Sequence, residues 1–194
     1  MDRIGAGLIL NKPEIFGFDY VPEMLVGREE LQGQLASLFS TIGHPEGTGR
    51  AIVTGPVGSG KTALVKRFCD DVIRHVADKR NIKYVHVNCR NASTASRVMQ
   101  KIVQDLDPGH PDRGLGVGEL LTSLRRMLQG DNAHIIVVLD EVDHLLRKSG
   151  DDIIYKLMRI DEDGDRTGTL SAILISQEQV LDWFGVGMAL VWFF

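Results

Sequence analysis

Residues 55–62 read Gly-Pro-Val-Gly-Ser-Gly-Lys-Thr, which fits the pattern Gly-x-x-x-x-Gly-Lys-[Ser/Thr] at every position. The glycines let successive backbone N–H groups turn toward an anion, and a helix that follows presents its positive end to the same anion. We therefore predict binding of ATP or ADP, with Lys61 on the phosphates and Thr62 on Mg²⁺. The alternative is a glycine turn that binds nothing. The predicted nucleotide-binding residues of this loop are Gly55, Pro56, Val57, Gly58, Ser59, Gly60, Lys61, Thr62 and Ala63.

A pair of carboxylates follows the most apolar stretch of the chain. Residues 135–139 are Ile-Ile-Val-Val-Leu, as expected of a strand covered on both faces, and Asp140 and Glu141 come directly after them. The carboxyl ends of parallel strands meet at one edge of a sheet, where a phosphate-binding loop also lies. We predict that Asp140 holds Mg²⁺ and that Glu141 polarises the water that attacks the γ-phosphate. The alternative is a solvated, acidic start of a helix.

Ser176 and Gln177 end another apolar run and are candidates for a polar group that senses the γ-phosphate. An amide there can donate to the phosphate or hold the attacking water, and we favour Gln177. A helix cap is an equally open interpretation. Spacing alone places Arg28 and Tyr20 where a nucleotide base could dock. The histidines show no metal-ligand spacing, and His134 and His144 are interpreted as solvated or capping residues.

The composition narrows the class of protein. The 194 residues are 43% hydrophobic and 25% charged, which excludes collagen-like and wholly disordered chains. A net charge of −4 excludes a globally basic nucleic-acid-binding protein but leaves room for a local basic face. Cys69 and Cys89 have the spacing of neither a zinc site nor a disulfide framework. No apolar stretch approaches the ~18 residues of a membrane span, so we expect a cytoplasmic protein without a membrane partner.

Strands and helices alternate along the chain, which predicts an α/β fold with a parallel sheet. Apolar residues at helical spacing mark the helices, and short apolar runs mark the strands. The predicted helices cover 28–41, the segment from the phosphate loop to 79, 98–106, 120–128 and 151–160, and the predicted strands cover 51–54, 84–88, 134–141 and 170–176.

Four segments around the phosphate loop resemble archaeal replication initiators of the origin-recognition-complex type. These segments are YVPEMLVGREEL at 20–31, VNCR at 87–90, LDEVDHLL at 139–146 and ILISQEQVLDWF at 173–184. The resemblance covers about residues 13–184 and implies a three-layer P-loop NTPase fold of the AAA+ (ASCE) type, incomplete at its C-terminus. Residues 23–184 would form the nucleotide-binding domain.

The resemblance also implies site residues and partners. Residues 1–22 would lie near the nucleotide base, with Val21, Pro22 and Arg28 near the adenine, and Asp140 and Glu141 would be the metal and hydrolysis carboxylates. The implied partners are duplex origin DNA, a replicative helicase and other initiator subunits. The implied function is a switch, driven by ATP binding and hydrolysis, for origin recognition and helicase loading.

The sequence departs from this family in two places. Gln177 stands where asparagine is expected, and residues 185–194 form an uncharged, largely apolar tail in place of a lid and a winged-helix domain. We interpret the tail as an aberrant, truncated end, which predicts weak DNA binding and a slow or impaired ATPase. The alternative is a short native homologue whose tail docks on its own domain. A P-loop helper ATPase that remodels a protein partner, and a non-functional fragment, remain alternatives.

The resemblance predicts the order of the strands as well. The strand at 51–54 should lie beside the strand at 170–176, followed by the strand ending at Asp140 and then the strand at 84–88. The strand at 51–54 would then form an open edge, and the tail would stay exposed and promote association.

Overall fold

A computed structural model of the protein describes residues 27–111, 114–131, 133–160, 168–177 and 189–192. No helix among these residues is long and apolar enough to cross a membrane. The helices are α1 (Glu29–Leu38), α2 (Lys61–Val76), α3 (Ala95–Leu106), α4 (Val117–Asp131), α5 (Val142–Ser149) and α6 (Asp152–Met158). The strands are β1 (Arg50–Thr54), β2 (Ile82–Asn88), β3 (His134–Asp140), β4 (Thr169–Ser176) and β5 (Ala189–Trp192).

The five strands form one parallel sheet in the order β2-β3-β4-β1-β5. The predicted order of the first four strands is therefore confirmed. In this register Thr54 of β1 pairs with Ser176 of β4, and Asn88 of β2 pairs with Asp140 of β3. The phosphate loop, the paired carboxylates and Gln177 thus all follow strands that end at the same edge of the sheet.

Alternation along the strands divides the core into two layers, because successive side chains point to opposite faces of a sheet. In β3, Ile136 and Val138 pack toward α1 and α2, while Ile135, Val137 and Leu139 pack toward α3, α4, α5 and α6. Every residue of β3 is buried. The predicted three-layer α/β fold is confirmed, and the buried strand β3 holds the carboxylates at its end.

Two details differ from the sequence-based expectations. Helix α5 begins at Val142, directly after the strand-end carboxylates, and was not predicted because no polar loop separates it from β3. His134, expected to be solvated or capping, is fully buried at the start of β3, and its Nδ1 lies 2.7 Å from the Thr169 hydroxyl oxygen.

The predicted open edge at β1 is wrong. Residues 189–192 of the tail form β5, which pairs in parallel with residues 51–54 of β1. The physical reason is that this run contains Leu-Val-Trp, residues that favour strands, and can satisfy the backbone groups that β1 would otherwise expose. The rest of the tail lies outside the described residues, and the domain boundaries stay predictions.

Candidate functional site

A cleft of about 330 Å³ lies at the carboxyl edge of the sheet, above the ends of β1, β3 and β4. It brings together most of the residues predicted from the sequence. From the phosphate loop it is lined by Val57, Gly58, Gly60, Lys61, Thr62 and Ala63, and from the strand ends by Asp140, Glu141, Ser176 and Gln177. Lys66 and Ile175, which the sequence analysis did not single out, complete the lining.

The phosphate loop has the backbone conformation that its glycines make possible. Gly58 and Gly60 have φ values of 78° and 87°, in the left-handed region that side chains with a Cβ rarely adopt. The Leu64 N–H donates to the Gly60 carbonyl at 2.9 Å, so α2 begins directly at the loop. The N–H groups of the first turn of α2 therefore lie at the end of the helix that borders the cleft. An anion bound there is stabilised.

The Lys61 side chain lies folded against its own loop. Its Nζ donates to the carbonyl oxygens of Gly55 and Pro56, at 2.8 and 2.7 Å. Burial lowers the pKa of Lys61, and the nearby carboxylates of Asp140, Asp143 and Glu141 partly oppose that shift. To reach a phosphate oxygen, the ammonium has to exchange these two carbonyl contacts for the more strongly charged partner.

The Asp140 side chain accepts three hydrogen bonds at the cleft. Its Oδ2 accepts from the Thr62 hydroxyl at 2.8 Å and from His86 Nε2 at 3.1 Å, and its Oδ1 accepts from the Glu141 N–H at 2.9 Å. Burial by itself raises the pKa of Asp140, but the hydrogen bonds from His86, Thr62 and Glu141 outweigh it and lower the pKa. The carboxylate is therefore charged at neutral pH.

Glu141 turns away from the strand into the cleft. Its φ of 52° makes it the one residue other than glycine with a positive φ among the described residues. A side chain in this conformation is strained, and such strain is concentrated at functional sites. The carboxylate oxygen Oε1 accepts from Gln177 Nε2 at 3.2 Å and lies 3.9 Å from Arg90 Nη1.

The hydrogen bonds of Ser176 and Gln177 distinguish the two sensor candidates. The Ser176 hydroxyl is buried and donates to Asp143 Oδ1 at 2.7 Å, and the Gln177 N–H donates to the same oxygen at 3.1 Å. Asp143, in the first turn of α5, thus fixes the end of β4 and directs the exposed Gln177 side chain toward Glu141. Gln177 is the better placed candidate, and its role as a sensor stays a prediction.

The residues predicted near the base are only partly described. Arg28 lies just before α1, and its Nη2 donates to the Ser59 carbonyl of the phosphate loop at 2.9 Å. This contact brings Arg28 to the loop without showing where a base would lie. Tyr20, Val21 and Pro22 lie outside the described residues.

Sequence reasoning missed two residues of this site, His86 and Asp143. His86 is 54 residues from Asp140 in the chain, and no motif marks it. Asp143 had a signal, since it follows Asp140 by three residues and acidic residues favour the first turn of a helix. Its buried contacts with the end of β4 depend on the strand order.

The donor groups fit a magnesium-bound nucleotide. Thr62 and Asp140 offer hard oxygen atoms, the ligand type that Mg²⁺ prefers, and they lie within hydrogen-bonding distance of each other. The glycine-rich turn and the start of α2 offer N–H groups to phosphates beside them.

Comparison with known proteins assigns the chain to a family. The sequence model of the AAA domain family matches residues 44–184. The ORC1-type DNA replication protein 2 of Saccharolobus solfataricus is 34% identical over 158 residues, which cover 79% of this chain and 38% of that protein. The chain thus spans less than half the length of the curated relatives it matches.

Solved structures with a similar fold point to the same group. The Aeropyrum pernix ORC1 protein, solved in complex with DNA, has a TM-score of 0.73 at 25% identity, covering 89% of this chain and 47% of that one. The Aeropyrum pernix ORC2 protein, solved in ADPNP–ADP complexes, has a TM-score of 0.79 at 22% identity, covering 93% of this chain and 51% of that one. At this identity the second match supports the fold alone. The chain therefore belongs to the AAA domain family, and its relatives there are the archaeal ORC1-type DNA replication proteins.

Proposed function

We propose that this chain binds ATP with Mg²⁺ in the cleft at the carboxyl edge of the sheet and hydrolyses it slowly. The observation that carries the proposal is the 2.8 Å hydrogen bond between the Thr62 hydroxyl and Asp140, two groups 78 residues apart. This hydrogen bond places the Asp140 carboxylate beside the phosphate loop, so that two possible Mg²⁺ ligands lie together. A glycine turn that binds nothing does not explain this arrangement.

Each side chain has a role that its position supports. Lys61 places its ammonium on the phosphate chain. Thr62 donates its hydroxyl hydrogen to Asp140, so the lone pairs of the Thr62 oxygen are available to a metal ion. Glu141 is the general base that orients and polarises the attacking water, and Gln177 holds the Glu141 carboxylate in place. When bound, Mg²⁺ neutralises the charge of the phosphates.

In the whole protein, the nucleotide acts as a switch in a cytoplasmic replication initiator. The support is the family and the names of its relatives, one of which was solved in complex with DNA. The partners proposed on this ground are duplex origin DNA, the other initiator subunits and a replicative helicase. The charge of −4 places any DNA contact on a local surface rather than on the chain as a whole.

The variant Lys61→Ala tests nucleotide binding. Loss of the ammonium should lower the affinity for ATP at least tenfold, or ~1.4 kcal/mol. Titration calorimetry with Mg²⁺ present measures it, and Lys79→Ala, an exposed lysine just beyond α2, is the matched control. Equal affinity in Lys61→Ala and the unmodified protein would refute the proposed site.

A second measurement tests the switch. The affinity for duplex DNA, measured by fluorescence anisotropy at one stated salt concentration with ATP and with ADP, should differ between the two nucleotides. A measurable DNA affinity that is the same with ATP and with ADP would refute the switch.

A further inference from the structure

His86, on the edge strand β2, lies against the carboxylate that is proposed to hold Mg²⁺. Its Nε2 is 3.1 Å from Asp140 Oδ2, and since a charged carboxylate oxygen only accepts, Nε2 carries the hydrogen. The side chain is 21% exposed, and its ring stacks on Tyr84 with the planes inclined by 19°. The ring orientation is therefore set by β2 itself and not by Asp140 alone.

The hydrogen bonds of Asp140 leave little acceptor capacity. A carboxylate has about four lone-pair sites, two on each oxygen. Thr62 and His86 occupy both sites on Oδ2, and the Glu141 N–H occupies one on Oδ1. One site on Oδ1 remains for the metal ion or for a water molecule in its shell.

The hydrogen bond from His86 fills the second site on Oδ2, so the remaining site is on Oδ1. Without its hydrogen bond, Oδ2 would have a free lone pair next to Thr62, and the carboxylate could offer either oxygen to the metal ion. We propose that His86 is a positioning residue, which fixes the Asp140 carboxylate in the one orientation that presents Oδ1 to the Mg²⁺ shell. The inference rests on the proposed function, because it assumes that a magnesium-bound nucleotide occupies the cleft.

We expect position 86 to tolerate substitution. On its other side His86 borders a second cleft of about 690 Å³, between β2 and α3, which is lined by polar side chains such as Asn88, Arg97 and Gln100. A replacement side chain therefore meets open space there and not the core. His86→Phe keeps a ring on Tyr84 but removes the donor, whereas His86→Gln keeps an N–H at about the same reach.

The experiment is a Mg²⁺ titration of nucleotide binding by the full chain, with a fluorescent ATP analogue as the probe. The Mg²⁺ concentration for half-maximal binding should rise about tenfold in His86→Phe, as is typical when a partner of a metal ligand is lost. Analogue binding in EDTA should be unchanged. His86→Gln should restore the titration to within about twofold of the unmodified protein. Tyr84→Phe is the matched control, since the buried Tyr84 hydroxyl has no hydrogen-bond partner among the described residues.

The outcomes separate this inference from the proposed function. If the unmodified protein binds the analogue and His86→Phe keeps the same Mg²⁺ dependence, the positioning role is refuted and the nucleotide site stands. If the unmodified protein binds no analogue, both are refuted. Should His86→Phe fail to fold by circular dichroism, His86→Asn replaces it, because its shorter amide cannot reach Oδ2 and should give the same rise.

Discussion

Strands β3 and β4 carry buried polar side chains at both of their ends, and the carboxyl ends border a cleft. At the amino ends, Thr169 lies between His134 and Arg80, whose guanidinium also donates to four carbonyls of residues 42–47. At the carboxyl ends, Asp140 accepts three hydrogen bonds and keeps one acceptor site beside the cleft. Burial of polar groups therefore does not distinguish the two ends, whereas the acceptor site that Asp140 keeps beside a cleft does.

The amino-end network should affect stability and not ligand binding. Arg80→Leu removes the donors of four backbone carbonyls and of Thr169, so the free energy of unfolding should fall by about 3 kcal/mol. Urea denaturation measures this change. Arg74→Leu, whose side chain is 63% exposed near the end of α2, is the control and should change stability by under about 1 kcal/mol. Weaker ATP binding in folded Arg80→Leu would show that the two ends are coupled.

The pH dependence of stability is a second test of the amino-end network, through His134. Burial, and secondarily the Arg80 charge, lowers the pKa of His134 from 6.5 to about 3. The folded state therefore prefers the neutral ring, and stability is complete above pH 6.5 and falls as the pH drops toward 3. Between pH 6.5 and about 4.5 the loss should reach about 2 kcal/mol.

His134→Leu, which cannot titrate, provides the comparison. Its unfolding free energy should change much less over the same pH interval, while Asp140, whose pKa is lowered from 3.8, adds its own loss only at lower pH. Denaturant titrations at several pH values test this, and an equal slope in both proteins would assign the pH dependence to other groups.

At the carboxyl end, the two neighbouring carboxylates should differ in their effects. Glu141→Gln should slow hydrolysis about a hundredfold with nearly unchanged ATP binding, because it removes the general base alone. Asp140→Asn should instead weaken Mg²⁺-dependent binding. The amide nitrogen would face either the Thr62 hydroxyl or the Glu141 N–H, both of which are donors, and the negative charge is lost. Phosphate release and calorimetry measure the two effects. Identical behaviour of the variants would contradict the separate roles.

The smallest expected effect concerns Gln177. Its exposed amide donates one hydrogen bond to Glu141. Gln177→Ala should therefore lower the hydrolysis rate about fivefold, which corresponds to the ~1 kcal/mol of one typical hydrogen bond. Gln100→Ala, on α3 and outside the nucleotide cleft, is the control. A phosphate-release assay with no difference between Gln177→Ala and the control would favour the interpretation of Gln177 as a capping residue.

Much of the fold could be predicted because its signals are local. Apolar runs located four of the five strands, and the glycine spacing at residues 55–62 located the turn into α2. The order of the strands came from the family resemblance and not from periodicity. Helix α5 was missed because it begins directly after β3, and β5 was missed because a four-residue strand is decided by the open edge it pairs with.

The sequence by itself determined which chemistry the cleft can offer, since the identities and spacing of Lys61, Thr62, Asp140 and Glu141 are properties of short segments. Only the tertiary structure decided how those groups are oriented. The contacts of His86 with Asp140 and of Asp143 with Ser176 join residues 54 and 33 positions apart. Such contacts depend on strand order and register, and a shift of one residue along a strand would turn every side chain to the other face of the sheet.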